Sequence, residues 1–149
     1  MNVVLLVVGI VVVVAAVTAA IVIPVAVRAK RRGDDFWAAF DAEVAAGAET
    51  LVLPREGCVY RGGTGTYSSV KGNGRVALTS DRLVVRKLTG GVIEVPTARI
   101  TGAHEAKVFQ GSVVGGRVHV VVEIADPPAE VAFYVDGNDR WLNALIGLR

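Results

Sequence analysis

Residues 75–96 read RVALTSDRLVVRKLTGGVIEVP, and this stretch decides the fold because it has the pattern of three consecutive strands. Two turn signals, Asp81 and residues 89–91, separate three runs rich in valine, leucine and isoleucine. Pro96 ends the third run because proline has no N–H to donate to a sheet ladder. Short strands joined by tight turns indicate an antiparallel sheet.

Two more strands are predicted nearer the C-terminus. Residues 117–124 carry valine or isoleucine at every second position, so these side chains share one face of a strand. Residues 126–128 form a turn with two prolines, and residues 130–136 alternate again, with Val131, Phe133 and Val135 expected to face inward. We therefore expect the chain from residue 50 onward to be mainly β, an antiparallel sandwich or barrel.

The last segment predicts a helix. Residues 136–138 give a helix-start signal, and Trp141, Leu142, Leu145 and Leu148 follow at helical spacing. A single amphipathic helix at the end of a sheet protein needs an apolar opening to cover. We expect Trp141 to cap the open end of a barrel.

The order of these elements resembles bacterial PH-like and GRAM-like domains. The hairpin pattern G-x-L-x-L-T-x-x-R-L of that family is matched, with Val76 in place of the first Leu, by Gly74, Leu78, Thr79, Arg82 and Leu83. Val95, Pro96 and Ile100 resemble the step that follows this hairpin. The similarity covers roughly residues 51–148. It implies a seven-stranded bent barrel, capped by a C-terminal helix and used for binding rather than catalysis.

The glycine-rich segment at residues 61–74 is a candidate binding loop. It lacks the Gly-Lys-Ser/Thr sequence entering a helix that a phosphate loop requires, so a flexible hairpin loop is the favoured interpretation. In PH-like domains, however, the loop between the first two strands binds headgroups through cations around an open barrel end. The resemblance implies Arg61, Lys71 and Arg75 as candidate headgroup-binding residues.

The N-terminal region predicts a transmembrane anchor over residues 1–27, which contain no charged side chain. Residues 3–27 form an apolar run of 25, twelve of them valine. At about 1.5 Å per residue, a helix of this length exceeds the roughly 30 Å hydrocarbon core of a bilayer. The alternative is a cleaved signal peptide, but no Lys or Arg precedes the run and the run is too long.

The charges beside the anchor predict its direction. Arg28, Lys30, Arg31 and Arg32 follow the apolar run, and positive flanks stay in the cytoplasm. We expect the N-terminus outside the cell membrane and the C-terminal domain in the cytoplasm. The same cations offer contact to anionic lipid at about 1 kcal/mol each, although a topology signal alone is the favoured role.

Residues 28–49 comprise this basic collar and a predicted juxtamembrane helix, between the anchor and a PH-like domain at residues 50–149. Gly33 is expected to interrupt the chain. Phe36, Trp37 and Phe40 then recur at helical spacing and predict a short amphipathic helix. Its aromatic face has two possible positions, the membrane interface or the surface of the domain. Acidic residues on the other face favour packing on the domain.

Several functional classes are disfavoured by the composition. Residues 33–149 carry 12 basic and 14 acidic side chains, a poor match for a nucleic-acid backbone. The single cysteine, Cys58, forms no internal disulfide and is expected to be structural. His104 and His119 lack metal-ligand spacing, and no nucleophile motif is present. We expect no catalytic residue, metal or cofactor.

These observations predict a membrane-anchored cytoplasmic interaction module that is not an enzyme. Its expected partners are the lipid bilayer, through residues 3–27, and a protein. The alternative function is weak binding of anionic lipid headgroups. The tether already holds the domain at the membrane, which favours the protein partner.

Overall fold

The structure, a computed structural model, describes residues 3–113 and 115–148. A long helix, α1 (Val3–Ala45), is followed by a mostly antiparallel sheet domain and a C-terminal helix, α2 (Asn138–Gly147). The prediction of a mainly β domain that ends in a helix is confirmed.

Among the residues that the structure describes, the domain contains nine strands. In chain order they are β1 (Leu51–Gly63), β2 (Gly72–Thr79), β3 (Arg82–Lys87), β4 (Val92–Pro96), β5 (Ile100–Ala106), β6 (Val108–Phe109), β7 (Ser112–Val113), β8 (His119–Ile124) and β9 (Ala129–Tyr134). Seven of them form one sheet in the order β4-β3-β2-β1-β9-β8-β5, and β6 and β7 form a separate hairpin. A 3-10 turn, Thr97–Arg99, joins β4 to β5.

Of the expected antiparallel sandwich or bent barrel, the antiparallel sheet is present, but it does not form a closed barrel. Its edges are β4 and β5, and no ladder joins them within the residues that the structure describes. The backbone at the connecting turn bonds elsewhere. The N–H of Thr97 donates to the carbonyl of Asp81 at 2.8 Å, and the carbonyl of Arg99 accepts from Ala125 at 2.9 Å. Pro96, at the end of β4, has no N–H to contribute.

One face of the sheet surrounds the main core, which draws buried side chains from all seven strands and from α2. Trp141 and Leu145 of α2 are almost wholly buried there. The Trp141 ring meets Phe133 edge-on at 5.5 Å between centroids, and its indole N–H donates to the Glu56 carboxylate. We call this the inner face and the opposite one the outer face.

Gly74 of β2 is paired with Lys87 of β3 and lies tightly against the β3 backbone. A methyl group on its Cα would overlap the backbone carbonyl oxygen of Arg86. Backbone atoms cannot move aside without breaking the β2–β3 ladder, so this position requires glycine. The glycine that opens the hairpin pattern thus has a physical reason in this chain.

Helix α1 runs without a break through Gly33, whereas the sequence predicted an interruption there. A glycine inside a helix costs only about 1 kcal/mol relative to alanine. Contacts with the sheet offset that cost, because Arg86 donates to the backbone carbonyl of Arg32 at 2.8 Å and Trp37 is buried one turn further on. The predicted anchor and the predicted juxtamembrane helix are therefore one element.

Candidate functional site

The outer face of β2 and β3 is covered by the C-terminal half of α1. Trp37 and Phe40 are each 4% exposed and pack on Ala77 and Val84. The two aromatic rings meet edge-on, 5.3 Å apart. Of the two positions considered for this aromatic face, the structure has it on the domain. We call this contact the junction.

Ion pairs surround the junction. Arg82 on β3 contacts Glu43, Glu49 at 3.0 Å and Glu94 at 3.2 Å. Burial opposes the charge of Arg82, but the three carboxylates outweigh burial and raise its pKa. Glu43 belongs to α1 and Glu94 to β4, so this one guanidinium links the end of the helix to the sheet.

A cleft of about 420 Å³ lies between α1 and the sheet, on the side of the junction nearest the apolar run. Its helical wall consists of Ala26, Ala29, Lys30, Gly33, Asp34 and Trp37. These positions follow one another at intervals of three, one, three, one and three residues, so they form a single stripe along the helix. Three of them are alanine or glycine, and their small size leaves the space open.

The sheet wall of the cleft carries cations. Arg75 of β2 and Arg86 of β3 are directly opposite each other in the ladder, and both line the cleft. The Arg86 guanidinium lies 4.6 Å from the centroid of the Phe36 ring. Leu88, in the β3–β4 turn, completes the wall and is 65% exposed.

The three candidate headgroup residues do not gather at one point. Arg61 and Lys71 are near each other at the loop ends of β1 and β2, since the neighbouring pair in the register is Tyr60 and Gly72. Arg75 pairs with Gly57, which lies four residues from Arg61 along β1, a distance of about 13 Å. Arg75 lines the cleft beside α1 instead.

Arg61 lies under the β6–β7 hairpin. Its guanidinium donates to the hydroxyl of Ser112 and to the carbonyl of Val113 at 3.4 Å. The buried ring of His119 lies beside the same hairpin, 3.3 Å from the carbonyl of Ser112. Burial lowers the pKa of His119. The hydrogen bond to Ser112 acts to raise it, and the charges of Arg61 and Lys71 lower it again. Arg61 thus makes contacts within the fold.

Lys87 is the cation at the loop end that sequence reasoning missed. It is buried on the inner face, and its ammonium group donates to the hydroxyl of Ser68 at 3.3 Å and to the carbonyl of Val70 at 3.2 Å. It also lies 5.6 Å from the centroid of the Tyr60 ring. Alternation along β3, with Leu83 and Val85 inward, was the signal that could have found it.

The groups able to do chemistry are dispersed. Cys58 is buried, and burial together with the charge of Glu56 raises its pKa to about 12, so the thiol stays protonated and unreactive. His104 pairs with Glu123 at 3.0 Å on an exposed part of the outer face. Within residues 3–113 and 115–148 no group of three or more His, Cys, Asp or Glu side chains could hold a metal ion.

Helix α1 also carries the apolar run and the collar. From residue 7 to residue 27 the run is exposed in the isolated chain. The helix is long and apolar enough to cross a membrane, with mean hydropathy 3.0 over its most apolar window. Arg28, Lys30, Arg31 and Arg32 are exposed on the next turns. Of these four side chains, Lys30 is the one that lines the cleft.

The fold of this chain is similar to one known from a crystal structure, the C-terminal domain of an unknown protein from Leishmania infantum. The TM-score is 0.52 at 15% sequence identity, and the match covers 76% of this chain and 96% of the other. At that identity the likeness shows the fold alone. No family model matches the chain, and no curated protein matches it.

Proposed function

We propose that this protein is a membrane-anchored, non-catalytic interaction module whose domain is held at the membrane surface to bind a protein partner. The observation that carries the proposal is the continuity of α1, which passes from the apolar run into the junction. Because Trp37 and Phe40 fix the helix to the sheet, the position of the domain relative to the anchor is set by packing rather than by a flexible linker.

The strand order supports a PH-like and GRAM-like architecture for the domain. If the β6–β7 hairpin is left out and the sheet strands are renumbered in chain order, they lie in the order 4-3-2-1-7-6-5. The first strand is therefore beside the last, and the C-terminal helix covers the inner face. Both features agree with the resemblance drawn from the hairpin pattern at residues 74–83.

The cytoplasmic side is proposed from the collar. Four positive charges flank the C-terminal end of the apolar run. A phosphatase reporter that is active only outside the cytoplasm, fused after Arg149, should therefore be silent. Moving the four charges to the N-terminal flank should activate it. Strong activity of the unmodified fusion would contradict the proposed orientation.

The free edge of β5 is the surface we propose for the protein partner. A strand edge presents unpaired N–H and C=O groups that an extended peptide can pair with. The edge of β4 is protected, because it is five residues long, ends in Pro96 and carries Glu94 paired with Arg82. The edge of β5 is seven residues long and exposes Thr101.

Photocrosslinking in native membranes tests this surface with the full chain. A benzophenone amino acid at Thr101 should give a discrete adduct of higher mass on irradiation. The matched control is the same amino acid at Val92, which is 40% exposed on the β4 edge and should give none. Equal adducts at both positions, or none at either, would contradict a partner on β5.

A further inference from the structure

We propose that the cleft between α1 and the sheet binds one anionic phospholipid from the leaflet that faces the domain, with Lys30, Arg75 and Arg86 contacting its phosphate. This inference rests on the proposed membrane anchor. It assigns lipid contact to a site on the outer face, away from Arg61 and Lys71.

The depth of the cleft matches the headgroup layer. Ala26 belongs to the apolar run, and Lys30 lies four residues further on, about 6 Å along the helix axis. The headgroup region of a bilayer is about 5–7 Å thick on each side. With the run in the hydrocarbon core, Lys30 therefore lies at the level of the lipid phosphates, and Leu88 lines the same cleft as Ala26.

The charges of the cleft favour binding of an anion. Arg75 and Arg86 are like charges directly opposite each other on one face of the sheet, an arrangement that destabilises a ladder. Within the described part of the chain, neither forms an ion pair with a carboxylate. Asp34 lines the cleft as well, so the side chains of Lys30, Arg75, Arg86 and Asp34 give it a net charge of +2. Lys87 also lines the cleft, but its ammonium group is directed to the inner face.

The Arg86 guanidinium is already positioned for an anion. One of its nitrogens donates to the carbonyl of Arg32 at 2.8 Å, and its plane lies near the Phe36 ring. A guanidinium held in this way has other N–H groups free to donate to phosphate oxygens in a fixed geometry. Fixing the donor before binding reduces the entropy lost on binding.

The remaining lining selects a lipid over a free phosphate. Ala26, Ala29, Trp37 and Leu88 give the cleft an apolar side that continues into the apolar run. A molecule with an anionic head and hydrocarbon chains satisfies both parts. A small inorganic anion would leave the apolar side in contact with water.

Quenching of tryptophan by lipid that carries a quencher on its headgroup tests the site in the full chain. Trp37 lines the cleft, whereas Trp141 is buried in the core and serves as an internal reference. In phosphatidylcholine vesicles, phosphatidylglycerol with a nitroxide quencher on its headgroup should quench Trp37 with a roughly tenfold preference over phosphatidylcholine with the same headgroup quencher at equal mole fraction. Trp37→Phe should remove the quenched component and thereby assign it.

Two pairs of variants separate the cleft from the collar. Arg75→Gln with Arg86→Gln should abolish the preference, whereas Arg28→Gln with Arg31→Gln removes the same charge outside the cleft and should keep it. Gly33→Leu should also abolish the lipid preference, because the leucine side chain fills the cleft. The backbone has room for this change, since a Cβ at residue 33 would lie 4.0 Å from its nearest neighbour, Arg86.

Equal quenching by the two lipids in the unmodified chain would overturn the proposal. An equal loss of lipid preference in the cleft double variant and the collar double variant would overturn it as well. Flotation of each variant with the vesicles tests the anchor separately. A chain that floats but shows no lipid preference refutes the cleft site and leaves the proposed anchor intact. A chain that does not float refutes the anchor and, with it, the cleft site.

Discussion

Replacement of Trp141 with alanine should lower the free energy of unfolding of the domain by about 3–5 kcal/mol. The side chain extends from α2 into the main core and is fully buried there, so its loss leaves a cavity beneath the helix. It also leaves the Glu56 carboxylate without the indole N–H that it accepts from. Such a loss is a large part of the stability of a small domain.

The measurement is denaturant unfolding of the full chain in nanodiscs, followed by circular dichroism. The matched control is Ile146→Ala on the same helix, because Ile146 is 50% exposed and its truncation should change stability by less than about 0.5 kcal/mol. If the two variants unfold at the same denaturant concentration, α2 does not contribute to the core as its packing indicates.

The inner face of the sheet was predictable because alternation alone defines it. Val131, Phe133 and Val135 were expected inward and are buried against the core. The helix period of α2 distinguished Trp141 and Leu145 from the strands before them. These features follow from the two-residue and 3.6-residue periods, which need no knowledge of distant parts of the chain.

The outer face was not predictable in this way. His119 and Val121 alternate with the inner residues of β8, yet both are buried because other elements cover them. Phe109 of the β6–β7 hairpin packs on Val121, and this hairpin is only two residues long on each side. Strands that short leave no period in the sequence.

The candidate site was only partly predictable for a related reason. The register of β1 shifts at three places, between Leu51 and Leu53, between Leu53 and Glu56, and between Tyr60 and Gly62. Each shift changes which side chains face outward, so counting along the strand does not show where Arg61 points. The cleft also depends on α1 continuing unbroken through Gly33, where an interruption was expected from the sequence.

The continuity of α1 connects these observations to function. If Gly33 were a break, Lys30 would move independently of Arg75 and Arg86, and the cleft would have no fixed wall. The helix instead carries its small residues past the sheet in a fixed position, because the junction fixes its end. Both proposals, the oriented domain and the lipid site, therefore depend on the same buried aromatic pair.

Phe40→Ala should release the end of α1 from the sheet. The side chain is 4% exposed and packs on Ala77 and Val84, so its truncation should cost about 3–5 kcal/mol. Because the contact involves the outer face alone, we expect the loss as local opening rather than global unfolding. Amide hydrogen exchange of residues 36–45 in nanodiscs should accelerate by roughly 100-fold or more, while exchange in β8 and β9 stays unchanged.

Ala39→Ser is the matched control, because Ala39 is exposed on the same helical turn and its replacement should leave exchange unchanged. Acceleration throughout the sheet would mean that the junction belongs to the main core and that the domain does not fold without α1. No acceleration at all would mean that the helix is held by the ion pairs of Arg82. Release confined to residues 36–45, together with loss of the lipid preference at Trp37, would establish that the junction positions both the domain and its cleft at the membrane.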